Sequence, residues 1–166
     1  SVTDFLCVRY GNVAWSTGSV LPIWKEMHNK NKIILTTGPK MRRFFFTISE
    51  AVDLVSFALN NSKMLAGKII CADMKSSMII DVIKTWIKKY GGTYKVIKER
   101  KGDRIDEYLI GNNEIKNTYK KKYKNKIYYI VNYNKRPFKP LSKIISSANS
   151  KRLSKNELLE LLKIGM

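Results

Sequence analysis

The chain has 166 residues, of which 44% are hydrophobic and 27% are charged. A chain of about 150 residues buries roughly 68–70% of its unfolded surface, so this one is long enough for a single domain with its own core. The composition is that of ordinary globular proteins, which excludes a wholly disordered chain.

The chain is strongly basic, because it contains 32 Lys and Arg residues and only 13 Asp and Glu residues, for a formal net charge of +19. Most of the excess is lysine spread along the chain among isoleucine and asparagine, which favours biased composition as the explanation. An anionic small ligand is the second interpretation. Nucleic acid is the third, because basic residues cluster in only one segment.

Both cysteines, Cys7 and Cys71, lie in apolar runs that predict buried strands, so we expect two reduced core thiols in a cytoplasmic protein. No apolar run reaches the roughly 18 residues that a transmembrane helix needs, and no membrane partner is expected. The sequence opens with Ser1 and enters a strand almost at once, which indicates a fragment whose upstream part is missing.

The first half of the chain alternates strands and helices. Residues 4–10 are nearly all apolar and predict a strand buried on both faces. A helix is expected to begin near Pro22, and residues 32–40 predict a strand followed by a turn. The clearest helix covers residues 47–62, in which Ile48, Val52, Val55 and Leu59 share one apolar face.

The second half continues the alternation. We predict a buried strand over 68–73, a helix over 76–92 that stops at two glycines, and a strand over 93–99. A further strand is expected in 126–133, and an amphipathic helix over 154–164 closes the chain. The alternation predicts the α/β class.

The segment VRYGNVAWSTGSVLPIW, residues 8–24, resembles the strand and loop of extended short-chain dehydrogenases/reductases, in the branch that serves polysaccharide biosynthesis. The branch reads approximately VRYGNV, then GSV and a proline. The resemblance implies that Asn12 contacts the diphosphate of a nucleotide sugar and that Ser19 binds the same substrate. It also implies that Tyr10 lies near the nicotinamide cofactor.

Residues 39–55, PKMRRFFFTISEAVDLV, are similar to the M-x-R-F-x-x-T-x-x-E-A-V segment of the same branch. The resemblance implies that Arg43 pairs with the diphosphate. A planar guanidinium that stays charged is suited to this task, because it makes bidentate contacts with phosphate oxygens.

Residues 99–110, ERKGDRIDEYLI, resemble R-P-G-E-K-L-x-E in the dehydratases and R-x-G-D in related epimerases. Arg100 is thereby implied to be a second phosphate-binding arginine, and Asp103 to accept hydrogen bonds from the ribose hydroxyls. The turn that Gly102 permits lets both groups address adjacent parts of one nucleotide.

A weaker match extends to the C-terminus. Residues 146–162 look like the N-S-x-N-T-x-R-L segment of the members that act on UDP-N-acetylglucosamine, and Asn149 and Arg152 align with it. The resemblance makes Asn149 a substrate-binding candidate.

Two patterns of the family are missing from the sequence: the Gly-rich cofactor turn and the helical Tyr-x-x-x-Lys pair. Tyr94 and Lys98 have the right spacing, but they lie in a predicted strand, where positions four apart are separated by roughly 13 Å. We expect both patterns upstream of Ser1, and therefore no catalytic residue in this chain. His28 is predicted to be a surface residue, and no His or Cys cluster has metal-binding spacing.

Together the matches imply an α/β fold, the C-terminal part of a Rossmann-type NAD(P)-binding extended short-chain dehydrogenase/reductase. We expect a single C-terminal fragment over 1–166. Within it, 1–20 and 67–90 form the last Rossmann strands and helix, and 21–66 and 91–166 form the small substrate-binding part.

The function that the resemblance implies is the nucleotide-sugar-binding half of a UDP-N-acetylglucosamine 4,6-dehydratase for surface polysaccharide biosynthesis. A UDP-sugar is the expected partner, NAD or NADP the cofactor, bound mainly by the missing half, and a homo-oligomer the state of the intact enzyme. A UDP-sugar 4-epimerase of the same family is one alternative. The other is a basic nucleic-acid-binding module, because residues 116–136 interleave Lys with Tyr.

Overall fold

The computed structural model of the protein describes residues 3–98 and 101–163. This part of the chain contains five α-helices, which are α1 Val20–Asn31, α2 Ile48–Asn60, α3 Ser62–Leu65, α4 Ile79–Tyr90 and α5 Lys155–Lys163. A 3-10 helix covers Asn112–Asn117. The strands are β1 Cys7–Arg9, β2 Asn12–Val13, β3 Ile33–Thr36, β4 Arg42–Phe46, β5 Ile69–Ala72, β6 Lys75–Met78, β7 Thr93–Val96, β8 Tyr108–Ile110, β9 Thr118–Tyr123, β10 Lys126–Val131 and β11 Ile145–Ser146.

The strands form four small sheets in the described ranges. The largest has the order β1-β5-β10-β9, in which β1 is parallel to β5 and β10 is antiparallel to both of its neighbours. In the second, β4 lies between β2, to which it is parallel, and β6, to which it is antiparallel. The pair β3 and β7 is parallel, and the pair β8 and β11 is antiparallel.

The first hydrophobic core lies between the four-stranded sheet and α2. Ile70 and Ile130 pair across β5 and β10 and are fully buried. Leu54 and Phe57 of α2 belong to the same cluster of buried side chains. The Phe57 ring stacks on Tyr128 of β10 with 3.9 Å between the ring centroids. The helix therefore packs on the sheet through one aromatic contact and an aliphatic layer.

The capping chemistry predicted for α2 is present, but the predicted apolar face is wrong. Thr47 and Glu50 form a reciprocal capping box at the N-terminus of the helix. Ile48, Val52 and Leu59, by contrast, are 51%, 57% and 62% exposed. The helix is apolar around most of its circumference, so periodicity allowed two faces, and packing against the sheet selected the other one.

The second core lies among α1, α4 and α5 and the β2-β4-β6 sheet. Its largest buried side chains are Trp24, Trp86 and Phe45. His28 belongs here and is only 3% exposed, so the prediction of a surface histidine is wrong. The histidine lies within α1, its Nε2 is 3.1 Å from the carbonyl oxygen of Gly91, and its ring contacts Trp86 edge-on.

The two cysteines have different environments. Cys71 is fully buried in β5, and this burial raises the pKa of its thiol to about 12. Cys7 is exposed, so the expectation of a second core thiol is wrong. It begins β1, which is an outer strand of the sheet and is covered less than a central strand.

Two helices pack across the division expected from the sequence, and that division into two parts stays a prediction. Helix α2 packs with β5, although the sequence assigned 21–66 to the substrate-binding part. Helix α4 packs with α1 and α5, although 67–90 was grouped with the Rossmann strands. Helix α4 packs there because it directly follows β6, which pairs with β4 in a different sheet from β5.

Replacing Leu54 by Ala is expected to lower the free energy of unfolding by about 2–5 kcal/mol, because it leaves a cavity under α2. Val52→Ala, on the exposed face of the same helix, is the matched control and should stay within about 0.5 kcal/mol of the parent chain. Urea denaturation measures both. A larger cost for Val52→Ala would mean that the other face is the packed one.

Candidate functional site

Three of the residues singled out by the sequence line one cavity of about 360 Å³. Asn12 comes from β2, Arg43 from β4, and Asp103 from the loop that follows β7. A volume in this range is typical of small-molecule sites, which combine apolar walls with few polar groups. The apolar wall consists of Val20, Ile23, Trp24, Met27, Leu35, Met41, Phe45, Ile79 and Ile97.

Asn12 is held in one orientation by two acceptors. Its Nδ2 donates to the carbonyl oxygen of Phe44 at 3.0 Å and to the two carboxylate oxygens of Glu107 at 3.2 and 3.1 Å. Since both partners only accept, the amide nitrogen must be the atom that faces them. The amide therefore has its donor side committed to the protein.

Arg43 is also engaged inside the protein. Its Nε lies 3.5 Å from Glu107 Oε1, and its Nη1 donates to the carbonyl oxygens of Arg42 and Ile105 at 2.9 and 3.3 Å. Its Nη2 lies 3.0 Å from the sulfur of Met41. The side chain is 17% exposed, so the guanidinium forms part of the cavity wall rather than projecting into solvent.

Ser19 is the N-cap residue of α1, between Gly18 and Val20, which both line the cavity. Its Oγ is buried and makes no hydrogen bond to any residue that the structure describes. The partial positive charge of the helix N-terminus lies at the same place. Ser19 itself is not among the residues that line the cavity. A ligand oxygen at this end of the cavity would meet the favourable charge of the helix N-terminus.

The remaining two substrate-binding candidates are Arg100 and Asn149. Arg100 lies outside the described residues. Asn149 does not line the cavity, because its Oδ1 accepts from the backbone N–H of Ser146 at 2.9 Å and its Nδ2 donates to the carbonyl oxygen of Ile144 at 2.9 Å. The asparagine stabilises its own loop, which explains the local motif without a ligand.

Tyr10 lines a neighbouring cavity of about 340 Å³ and is 38% exposed. Asn12 contributes to both cavities, so it lies at the boundary between them. The remaining wall of this second cavity consists of Arg9, Gly11, Phe44, Arg104, Glu107, Tyr108 and Leu109.

Sequence reasoning did not identify Glu107, which lies at the centre of these contacts. Its Oε2 accepts the backbone N–H of Phe44 at 3.0 Å, in addition to the contacts from Asn12 and Arg43. The signal was available, because Glu107 matches the last glutamate of R-P-G-E-K-L-x-E.

Arg9 supports the second cavity through a bidentate ion pair with Glu114, with N–O distances of 2.9 and 2.7 Å. Arg9 also donates to the carbonyl oxygen of Leu109 at 2.6 Å. Hydrogen bonds from Arg9 hold the pKa of Glu114 below its ordinary value. The pair joins β1 to the 3-10 helix and fixes that wall.

The basic segment 116–136 contains the β9–β10 hairpin. Tyr128 and Tyr129 are only 3% and 4% exposed, and Lys126 pairs with Asp53 on α2. These two rings are not available to stack on bases, which is the contact that a single-strand nucleic-acid platform needs, whereas Tyr123 and Tyr133 of the same segment are 36% and 58% exposed.

A sequence model of a family described as polysaccharide biosynthesis protein matches residues 1–131. The chain is 36% identical to the uncharacterized membrane protein MJ1061 of Methanocaldococcus jannaschii, over 97% of this chain and 50% of that protein. It is 30% identical to a UDP-N-acetylglucosamine 4,6-dehydratase (inverting) of Campylobacter jejuni, over 70% of this chain and 34% of the enzyme. It is 32% identical to a UDP-glucose 4-epimerase of Rickettsia akari, over 66% of this chain and 33% of the enzyme.

The chain thus spans at most half the length of these three relatives. Among solved structures, Pen from Bacillus thuringiensis matches with a TM-score of 0.82 and 25% identity, over 96% of this chain and 48% of that one. These likenesses confirm the predicted α/β class and a Rossmann-type C-terminal portion. No helix in the described ranges is both long and apolar enough to cross a bilayer.

Replacing Glu114 by Gln is expected to lower the free energy of unfolding near neutral pH by roughly 1–3 kcal/mol, because Arg9 loses a charged acceptor. The pKa of Glu114 is lowered in the folded state, so its contribution is complete above the ordinary value of 4.5 and is lost as the pH falls through the folded-state value. Urea denaturation should therefore show the difference between parent and variant shrinking below pH 4.5.

The matched control is Glu160→Gln on the exposed surface of α5, which should behave like the parent chain. A difference between Glu114→Gln and the parent that stays constant through the acid range would contradict the assignment of the ion pair.

Proposed function

Because the chain belongs to the polysaccharide biosynthesis protein family, we propose that it is the nucleotide-sugar-binding half of an NAD(P)-dependent UDP-N-acetylglucosamine 4,6-dehydratase. The observation that carries the proposal is that Asn12, Arg43 and Asp103, from three distant segments, line one cavity. The family relatives include a dehydratase and an epimerase of UDP-sugars, and both need the same nucleotide held in place.

The cavity offers chemistry that suits a nucleoside diphosphate. Arg43 supplies a permanent cation for the phosphates, and the N-terminus of α1, where Gly18 and Val20 line the cavity on either side of Ser19, supplies a second favourable point for an oxygen anion. Asp103 supplies a carboxylate that accepts from the ribose hydroxyls. The apolar wall around Trp24 covers the base or the sugar.

The chain's part in the reaction is positioning. A substrate held by its diphosphate is aimed at the reacting centre by binding energy from a remote group. NAD or NADP, when bound, would accept and return the hydride. In the described part of this chain, Tyr10 is the residue proposed to lie beside it, on the cavity that adjoins the nucleotide site at Asn12.

A UDP-sugar 4-epimerase is the second candidate, supported by the similarity to the Rickettsia akari enzyme. Both activities require a bound UDP-sugar, and the residues that separate elimination from epimerisation are proposed to lie in the upstream half. Incubating the full-length protein with UDP-N-acetylglucosamine and analysing the product by NMR separates the two. Loss of the C6 hydroxyl identifies the dehydratase, and inversion at C4 identifies the epimerase.

Replacing Arg43 by Met is expected to weaken the binding of UDP about tenfold or more, because a charged hydrogen-bond donor to phosphate is worth about 1.5–3 kcal/mol. Isothermal titration calorimetry at constant ionic strength measures the dissociation constants of the parent chain and the variant.

Arg136→Met is the matched control, because it removes one positive charge from an exposed position that does not line the cavity. Equal weakening in both variants would assign UDP binding to the general charge of the protein. Salt-sensitive binding of an oligonucleotide without any binding of UDP would favour the nucleic-acid alternative.

A further inference from the structure

The carboxylate of Glu107 occupies the donors that a phosphate would use. It accepts from Asn12 Nδ2 at 3.2 and 3.1 Å and lies 3.5 Å from Arg43 Nε. We propose that Glu107 competes with the ligand's phosphates for Arg43 and Asn12, and that it thereby makes the cavity selective for ligands with enough negative charge to displace it. This inference rests on the proposed function.

The competition follows from the number of donors available. Both N–H groups of the Asn12 amide are directed at acceptors, one at Phe44 and one at Glu107. The Arg43 guanidinium is shared among Glu107, two backbone carbonyls and the Met41 sulfur. A phosphate that binds here must therefore replace an existing partner, and Glu107 is the only charged one in the described contacts of these two residues.

The contact with Arg43 is weak enough to exchange. The neighbouring pair between Arg42 and Asp106 is bidentate, with N–O distances of 2.5 and 2.7 Å, whereas Arg43 approaches Glu107 at 3.5 Å with one nitrogen. The Glu107 side chain is 32% exposed, so it can be hydrated after it is displaced. The two adjacent carboxylates thus differ in how easily they release their arginines.

Displacement depends on the charge of the incoming ligand. A diphosphate carries more charge than one carboxylate and bonds to a guanidinium in a bidentate manner. Its electrostatic interaction with Arg43 is therefore more favourable than that of Glu107. An uncharged nucleoside gains nothing from this exchange and leaves Glu107 in place. The carboxylate therefore increases the difference in affinity between a nucleoside diphosphate and a nucleoside.

Replacing Glu107 by Gln keeps an acceptor for the Phe44 N–H and removes the competing charge. We expect UDP to bind about two- to fivefold more tightly, the range that corresponds to a partly exposed ion pair. Uridine should bind with unchanged affinity. Calorimetric titration of the 166-residue chain with both ligands gives the ratio of the dissociation constants of uridine and UDP. A merely structural role of Glu107 would not change this ratio.

Asp106→Asn is the matched control, because it removes one negative charge from the adjacent residue, whose partner is Arg42. Tighter UDP binding in this variant as well would assign the effect to net charge and overturn the proposal. Weaker binding of UDP and uridine to Glu107→Gln by the same factor would also overturn it, because that result describes a structural residue.

A measurement on the unaltered chain covers the case in which Glu107→Gln does not fold. In 15N NMR spectra, saturating UDP should shift the side-chain signals of Asn12 and Arg43, whereas saturating uridine should leave them in place. Signals that stay in place with bound UDP would overturn the proposal. If the chain does not bind UDP saturably at all, the proposed function itself fails, which is a separate outcome.

Discussion

The short pairing between β2 and β4 is the constraint on which the arrangement of the cavity depends. β2 contributes only two residues to the ladder, so the edge of β4 beyond them must be completed in another way. Two side chains complete it: the Asn12 amide donates to the Phe44 carbonyl, and the Glu107 carboxylate accepts the Phe44 N–H. The Asn12 side chain is thereby held beside the cavity through the Phe44 carbonyl, and Arg43 directly precedes Phe44 on β4.

The two cores meet at this strand. Phe44 and Phe46 of β4 belong to the core under α2, whereas Phe45 belongs to the core among α1, α4 and α5. Successive residues of a strand point to opposite faces, so β4 separates the two cores by simple alternation. The cavity opens beside Phe45, on the side of α1, where the N-terminus of that helix adds its partial charge.

Much of the fold follows from the sequence, and the exceptions share one cause. Alternation and capping signals identify most helices and strands. The family resemblance, rather than any spacing, predicts that Asn12, Arg43 and Asp103 are neighbours, and their ligand stays a prediction. The exposed Cys7, the buried His28 and the buried face of α2 depend on which elements pack together, and local pattern carries no information on that. Glu107 is a different case, because it matches the last glutamate of the R-P-G-E-K-L-x-E motif and could have been identified from the sequence.

The exposed apolar stripe of α2 and the charge of the chain act in opposite directions on its behaviour in solution. Ile48, Val52 and Leu59 present hydrocarbon to water, which favours self-association, whereas a formal charge of +19 makes identical chains repel each other. The repulsion is long-ranged only in dilute salt, because the screening length falls to about 8 Å at physiological ionic strength. The colloidal behaviour of this protein is therefore governed by the salt concentration of its buffer, and added electrolyte brings its hydrophobic helix surfaces into contact.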